Sequence, residues 1–426
     1  MLPSRRFLNI RLAARSYRAL ALESSCDDSC VALLEKQHPS SQPVVIDEMK
    51  RTLRSVEAGG VIPTAAHEFH SKVMPDLVRD FCRKHKIDAQ NKPDLLCVTR
   101  GPGMVGSLSS ALQFAKGLSL AWDVPFIGTH HMLGHILASH LPSTHNPQQA
   151  PPQYPFLSLL CSGGHTMLVL SKSFTDHRII INTMDIACGD AIDKAARELG
   201  MRGNMIGPEL EKYVASIPSS TLEQFQTIRT LDRNNHFNFK LKPPLRKAKH
   251  QKVPDTITFT FAFLLSSIKD HMARHDIDEH TKQFLAYKIQ DSVFEHLIDR
   301  VNLAFQKHLA DGEFAGVKDF VCSGGVAANQ ELRRKLFTEL KPGSRLNFHF
   351  PDLKICTDNA SMIGVAGMGI FEQLRLKSTL DVLPIRKWPL DQLIDVGGWE
   401  SVDNYEFEKV TGWTEDPRLQ ERPDEE

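Results

Sequence analysis

Two spacings of apolar residues alternate along this chain. Runs of about four apolar residues, such as Ala19–Leu22 and Val31–Leu34, flank the polar turn 23–30 and predict a β-hairpin. Between 61 and 86, His67, Phe69, His70, Val73, Met74, Leu77, Val78 and Phe81 recur at helical spacing. Leu95–Thr99 reads as a short buried strand running into Gly101-Pro102-Gly103 and a helix through Trp122. Pro125–Gly128 is the next strand, and the segment after it is helical. This β-α-β-α rhythm predicts an α/β fold. Phe156–Leu170 repeats the plan of the first hairpin, apolar run, small polar turn, apolar run, which reads as an internal duplication opening a second lobe. Helical spacing returns at Phe259–Ile268, Phe284–Phe305 and Ser361–Phe371, whereas 36–43, 142–155 and 215–255 read as loops.

At 426 residues the chain is long for one core, so two lobes are expected. The segments read as a basic leader (1–18), a first lobe (19–150), a second lobe (151–345), a return to the first (346–400) and an acidic flexible tail (401–426). The leader holds Arg5, Arg6, Arg11, Arg15 and Arg18 and no acid before Glu23, the pattern of a mitochondrial transit peptide. Charge is balanced, with 51 basic and 51 acidic residues, so RNA contact has to come from local patches rather than a global field. The densest such patch is Lys242, Arg246, Lys247, Lys249 and Lys252 with His250. No apolar run is long enough to predict a membrane span. The 8 cysteines contain no C-x-x-C pair and several lie in apolar runs, so they read as reduced, mostly buried thiols.

Candidate chemistry centres on His130-His131-Met132-Leu133-Gly134-His135. A helix puts His131 and His135 on one face, where two imidazoles can share one divalent ion. Asp358, in Cys356-Thr357-Asp358-Asn359, is the best third ligand. Such a two-nitrogen, one-oxygen set suits Fe, Zn or Mn. Glycine turns follow strands at 101–106, at Leu160-Cys161-Ser162-Gly163-Gly164 and at Ser323-Gly324-Gly325, the last followed by Asn329 in the first helical turn. Bare backbone amides at a helix start favour phosphate. Asp190 and Asp193 share a helix face, and Gly207-Pro208 closes that segment. Asp27 and Asp28 lie in the acid-rich hairpin turn and are the candidates for a general base. His67 and His70 read as surface histidines of open role.

Duplicated, hairpin-led lobes around a nucleotide are the plan of the actin/sugar-kinase/Hsp70 fold. The motifs E-S-S-C-D-D (23–28), T-R-G-P-G (99–103), H-H-M-L-G-H (130–135), L-C-S-G-G-H (160–165), G-D-A-I-D-K (189–194), C-S-G-G-V-A-A-N (322–329) and C-T-D-N (356–359) together resemble the universal tRNA N6-adenosine threonylcarbamoyltransferases, and the mitochondrial branch most. The resemblance implies transfer of the threonylcarbamoyl group from threonylcarbamoyl-AMP, made by a separate synthase, to N6 of the adenosine just 3′ of the anticodon in tRNAs reading codons that begin with A. It implies a homodimer in the mitochondrial matrix and one divalent metal ion per subunit, held by His131, His135 and Asp358. It also implies an adenylate site at Leu160–Gly164, Asp193, Gly207 and Asn329. The chain departs from the family at Ile206, where bacterial relatives carry a glycine, and at 64–70, where a glutamate-bearing segment reads Thr64-Ala-Ala-His67-Glu68-Phe-His70.

Two other classes fit parts of the pattern. A metalloprotease would use the histidine pair, but H-M-L-G-H lacks the glutamate that H-E-x-x-H places beside its first ligand. A non-catalytic nucleotide-binding scaffold would keep the glycine turns and not need His131, His135 and Asp358.

Overall fold

The computed structural model describes residues 15–55, 60–144, 146–203, 206–230, 235–242, 244–245, 257–340 and 345–414. The first lobe runs β1 (Tyr17–Glu23), β2 (Asp28–Lys36), β3 (Val44–Thr52), α1 (Pro63–His85), β4 (Leu95–Gly101), α2 (Val105–Trp122), β5 (Phe126–His130) and α3 (His131–Leu137). The second runs β6 (Phe156–Cys161), β7 (Thr166–Ser171), β8 (His177–Asn182), α4 (Cys188–Glu198), α5 (Gly207–Ala215), α6 (Ser219–Thr227), α7 (Ala262–Arg274), α8 (Glu279–Ala310), β9 (Asp319–Ser323), α9 (Gln330–Glu339) and β10 (Asn347–His349). The chain returns through α10 (Leu353–Cys356), α11 (Ala360–Gly369), β11 (Leu376–Ser378), β12 (Trp399–Ser401) and α12 (Asn404–Thr411).

The duplication extends to whole sheets. Strand order is β3-β2-β1-β4-β5 in one and β8-β7-β6-β9-β10 in the other. In both, the first hairpin is antiparallel and the last two strands are parallel to the first. This is the actin-like pair of α/β lobes expected above. Alternation along each strand sorts the cores. Leu20 and Leu22 of β1 face α1 and α2, and Leu157, Leu159 and Cys161 of β6 face the helices of the second lobe. Tyr17, Ala19 and Ala21 of β1, with Phe156 and Leu160 of β6, face a shared middle layer that contains α3 and α11. All seven residues of α3 are buried. Two core faces and a shared layer explain why its sequence is apolar all round apart from the histidines.

Several boundaries differ from the sequence reading. Residues 17 and 18, read as the end of the leader, lie in the first sheet: β1 begins at Tyr17, which is fully buried, and Arg18 donates to Asn91 and the Lys92 carbonyl. Residues 1–14 lie outside the described ones, as do most of the basic patch, from Arg246 to Lys252, and the tail from 415. The flexible tail does not start at 401: α12 docks Phe407 and Val410 into the middle layer, and Trp413 meets Tyr17 edge-on at 5.1 Å. The stretch 215–255 is not all loop. Helix α6 forms because Phe225 finds a buried place against Phe284 and Tyr287 of α8, contacts invisible to local periodicity. Residues 142–155 are tied down at Gln149, which donates to the Phe348 carbonyl at 2.9 Å. The described cysteines are all free thiols, six of the eight buried. No described helix is long and apolar enough to cross a membrane.

Candidate metal and adenylate site

Parallel strands in both sheets end at the same place. Open α/β sheets put ligands beyond the carboxyl ends of their strands, and here those ends carry Glu23, Thr99, His130, Cys161 and Ser323. His130 turns strand into helix. Its Nδ1 accepts from the amides of Met132 (3.1 Å) and Leu133 (3.4 Å), capping α3, so its Nε2 carries the proton that bonds the Trp388 carbonyl at 3.0 Å. Burial holds this ring neutral, its pKa pushed down to about 3.

That shift makes a prediction. Unfolded, His130 takes up a proton near pH 6.5; folded, it resists. Its contribution is intact above that pH and is lost as pH falls toward 3. At pH 4.5 the expected loss is about 3 kcal/mol. Urea unfolding of wild type and His130→Asn, which retains a capping side chain, measures it as the part of the acid destabilisation that the variant lacks.

With α3 so started, the rings of His131 and His135 lie 4.8 Å apart at 88°. Their Nε2 atoms stand 3.6 and 3.2 Å from Asp358 Oδ1. A four-coordinate ion bonded at about 2.0–2.1 Å holds its donors roughly 3.3 Å apart, so nitrogen–nitrogen–oxygen donors at these separations fit one divalent cation. Burial opposes charge on His131, but Glu23 and Asp358 beside it raise its pKa to about 9. Burial likewise opposes Asp358, yet the two histidines hold its carboxyl well below the usual range.

The loop carrying Asp358 is pinned at both ends. Asn359 caps α11, accepting from the Met362 amide at 2.8 Å and donating to the Ile355 and Thr357 carbonyls. Lys50 of β3 donates to Asp28 (3.1 Å), Thr357 Oγ1 (3.0 Å) and the Asp358 carbonyl (3.1 Å). Asp28 also accepts from Thr52, so it is a buried structural partner rather than a free base. Asp27 is half-buried. Burial, then the charges of Asp28 and Asp358, push its pKa up to about 6.

The second lobe brings its turns to the same loop. Gly324 has φ +100°, and a Cβ there would sit 2.4 Å from the Cys161 carbonyl oxygen. The β9 turn is thereby packed on the end of β6. A Cβ on Gly189 would lie 2.8 Å from the Ser162 oxygen, which places the start of α4 against the same turn. A Cβ on Gly325 would lie 3.7 Å from Thr357 Cγ2, one residue from Asp358. Among the described residues, nothing lies within 4 Å of a would-be Cβ on Gly163 or Gly164. His165, at the far end of this turn, is kept neutral, its pKa pushed down to about 4 by burial and by the charges of His131 and His135. Ser323 Oγ is buried with no partner among the described residues. Asp193 Oδ1 accepts from the Gly207 amide at 2.8 Å, which ties these two together. Asp190 pairs with Lys194 on the helix surface. Asn329 is the cap of α9 rather than part of its first turn. Its Oδ1 accepts from Glu331 and Leu332, and its Nδ2 reaches Gln290, leaving one N–H.

Two expectations change. The Gly101–Gly103 turn is no open anion cradle: the Gly103 amide donates to Arg386 O and the Met104 amide to Ser25 O. His70 is no surface residue. It is fully buried, with Nε2 bonded to Cys26 O at 2.8 Å and Nδ1 to Ser29 Oγ at 2.7 Å, and it braces the acid-rich turn from α1. His67 remains exposed, against Gly106 O. Glu23, Thr99 and Lys50 were missed as site residues. The one sequence signal for Glu23 is an acid continuing the inward alternation of Ala19 and Ala21.

Comparison with known proteins places this geometry. The sequence profile of the family TsaD, tRNA N6-adenosine threonylcarbamoyltransferase, matches residues 45–365. The mitochondrial tRNA N6-adenosine threonylcarbamoyltransferase of Schizosaccharomyces pombe is 34% identical over 407 residues, 92% of this chain and 91% of that protein. The Staphylococcus saprophyticus protein of the same name, without the mitochondrial label, is 31% identical over 83% of this chain and 91% of its own. Among solved structures, full-length HypF in a phosphate- and nucleotide-bound form shares 14% identity at a TM-score of 0.43, over 85% of this chain and 56% of that one.

Proposed function

This chain belongs to the TsaD family of tRNA N6-adenosine threonylcarbamoyltransferases, and from that premise we propose how its own residues carry the reaction. It is a tRNA-modifying transferase. The threonylcarbamoyl group of threonylcarbamoyl-AMP passes to N6 of the adenosine 3′ of the anticodon, and AMP leaves. We place it in the mitochondrial matrix, acting as a homodimer on tRNAs reading codons that begin with A, supplied with the adenylate by a separate synthase.

The observation that carries this reading is the meeting of His131, His135 and Asp358 beside the β9 glycine turn, where Gly325 faces Thr357. An acyl-adenylate is already activated, so the protein chiefly has to position it and neutralise charge. His131, His135 and Asp358 would hold a divalent cation, Fe, Zn or Mn, which when bound would supply Lewis-acid charge. The Ser162–Gly164 turn, at the end of Leu160 and Cys161, puts no side chain of Gly163 or Gly164 in the way of a phosphate; its Ser162 and Gly164 amides are bonded to His165 O and Ser162 Oγ, so the Gly163 amide is the one we assign to the anion. Ser323, whose hydroxyl at the head of the Gly324–Gly325 turn has no partner among the described residues, offers a hydrogen bond. Asp193, steadied by Gly207, presents its second oxygen to a ribose hydroxyl, and the spare N–H of Asn329 serves the nucleoside. An exocyclic adenine amine is a weak nucleophile that sheds a proton as it attacks. Asp27, whose pKa burial pushes up to about 6, is the acceptor we assign, since Asp28 is held by Lys50 and Thr52. The peptidase alternative lacks its base: Met132 follows the first histidine, and Glu23 is sealed against that ring's outer nitrogen.

Purified protein given threonylcarbamoyl-AMP and unmodified tRNA should yield N6-threonylcarbamoyladenosine by nucleoside mass spectrometry, with one AMP released per nucleoside formed. Absence of the modified nucleoside with every such tRNA rejects the proposal. In the same assay Asp27→Asn should slow transfer by about 10²–10⁴-fold, while Asp28→Asn should lower thermal stability first.

A further inference from the structure

Glu23 has no part in the reaction described so far, yet it is the most enclosed acid beside the site. It ends β1 and is 0% exposed. Its Oε1 accepts from the Ser25 amide at 2.5 Å. Its Oε2 accepts from the Thr99 hydroxyl and faces His131 Nδ1 at 3.2 Å. An ionised carboxylate only accepts, so in this contact His131 Nδ1 carries the proton. The neutral ring then has its lone pair on Nε2, the nitrogen directed at Asp358. The other histidine differs: His135 Nδ1 is buried with no partner among the described residues.

We propose that Glu23 is a positioning residue for the cation site, fixing the tautomer and orientation of His131 and raising its basicity, so that His131 is the stronger of the two imidazole ligands. The proposal rests on the reading that His131, His135 and Asp358 hold a cation. A buried carboxylate is costly unless fully bonded, and the Ser25 amide, the Thr99 hydroxyl and the His131 ring supply three donors. Ser25 Oγ, 3.2 Å from the same Nδ1, accepts a share of that proton. A glutamine in place of Glu23 keeps the volume, removes the charge and has to turn an N–H toward one of these donors.

The test titrates metal-free full-length protein with Co(II) and with Zn(II) against a competing chelator. Wild type should bind one equivalent. Glu23→Gln should bind about 10–100-fold more weakly, and its Co(II) complex should show a shifted visible absorption, a change that loss of packing alone does not make. Wild-type affinity and spectrum in Glu23→Gln overturn the proposal while leaving the cation site intact. A wild type that takes up no ion refutes the cation site, and this role with it. Should Glu23→Gln fail to fold, nitrogen NMR of the zinc-loaded wild type decides instead. A protonated, exchange-protected, low-field His131 Nδ1–H supports the role, and an unprotonated or metal-bound Nδ1 overturns it.

Discussion

His131→Ala should leave less than one ion per chain and slow threonylcarbamoyl transfer by about 10²–10³-fold, equivalent to about 3–4 kcal/mol of transition-state stabilisation. It should also cost stability. Glu23 and Asp358 both direct an oxygen at this ring, so truncation leaves two carboxylates short of their shared partner in a buried place. Breaking a buried charged contact on one side typically costs about 3–5 kcal/mol. The two effects separate by measurement. Single-turnover AMP release, with modified nucleoside read by mass spectrometry, reports the first, and urea unfolding of the metal-free protein reports the second. A variant that retains one ion and transfers at the wild-type rate removes His131 from the mechanism.

Gly324→Ala should be the most damaging glycine substitution at the site. At φ +100° and ψ 164° the backbone lies where side chains are strained by about 1–3 kcal/mol. The added carbon would also meet the Cys161 carbonyl at 2.4 Å, an atom of a central strand that cannot rotate away. A total cost of about 3 kcal/mol or more is expected, together with weaker AMP binding as the β9 turn is pushed off β6. Gly164→Ala is the contrast. Nothing lies within 4 Å of its would-be Cβ, so unfolding should not change while AMP affinity falls. Denaturant unfolding and calorimetric titration with AMP check both. Equal stability loss in the two variants would mean that the turns do not differ as described.

How much of this was readable beforehand differs by element. Strands β1, β2, β6 and β7 were legible because each is a run of apolar residues bounded by small polar ones, and the second hairpin copies the first. Strands β3 and β8 were not. In β3 the short run Val44-Val45-Ile46 gives way at once to Asp47, Glu48, Lys50 and Arg51, so a half-exposed edge strand carries no sustained pattern, and its pairing comes from the neighbouring strand. The two glycine turns looked alike as places for close approach, but the Gly101–Gly103 turn is closed by Arg386 and Ser25, whereas the Gly163–Gly164 turn, its Gly164 amide bonded to Ser162 Oγ, keeps space beside both glycines. Local sequence cannot tell a free amide from one bonded to a distant carbonyl. His70 shows the same blindness in the other direction: a polar residue on an amphipathic helix reads as exposed until its partners, Ser29 and the Cys26 carbonyl, are known.

By itself the sequence determined the two-lobed α/β plan and the pairing of His131 with His135, because strand alternation and the four-residue helical repeat are properties of a local backbone; the family came from the resemblance that its combined motifs carry. Asp358 was named from its motif, but only the tertiary structure brings it, 223 residues away, to 3.2 Å from His135, and only the tertiary structure decided that Lys50 and Asn359 hold its loop and that Glu23 stands behind His131. Those are contacts between strand ends and loops far apart in the chain, fixed by the packing of α3 and α11 between two sheets, and no periodicity along the chain encodes them.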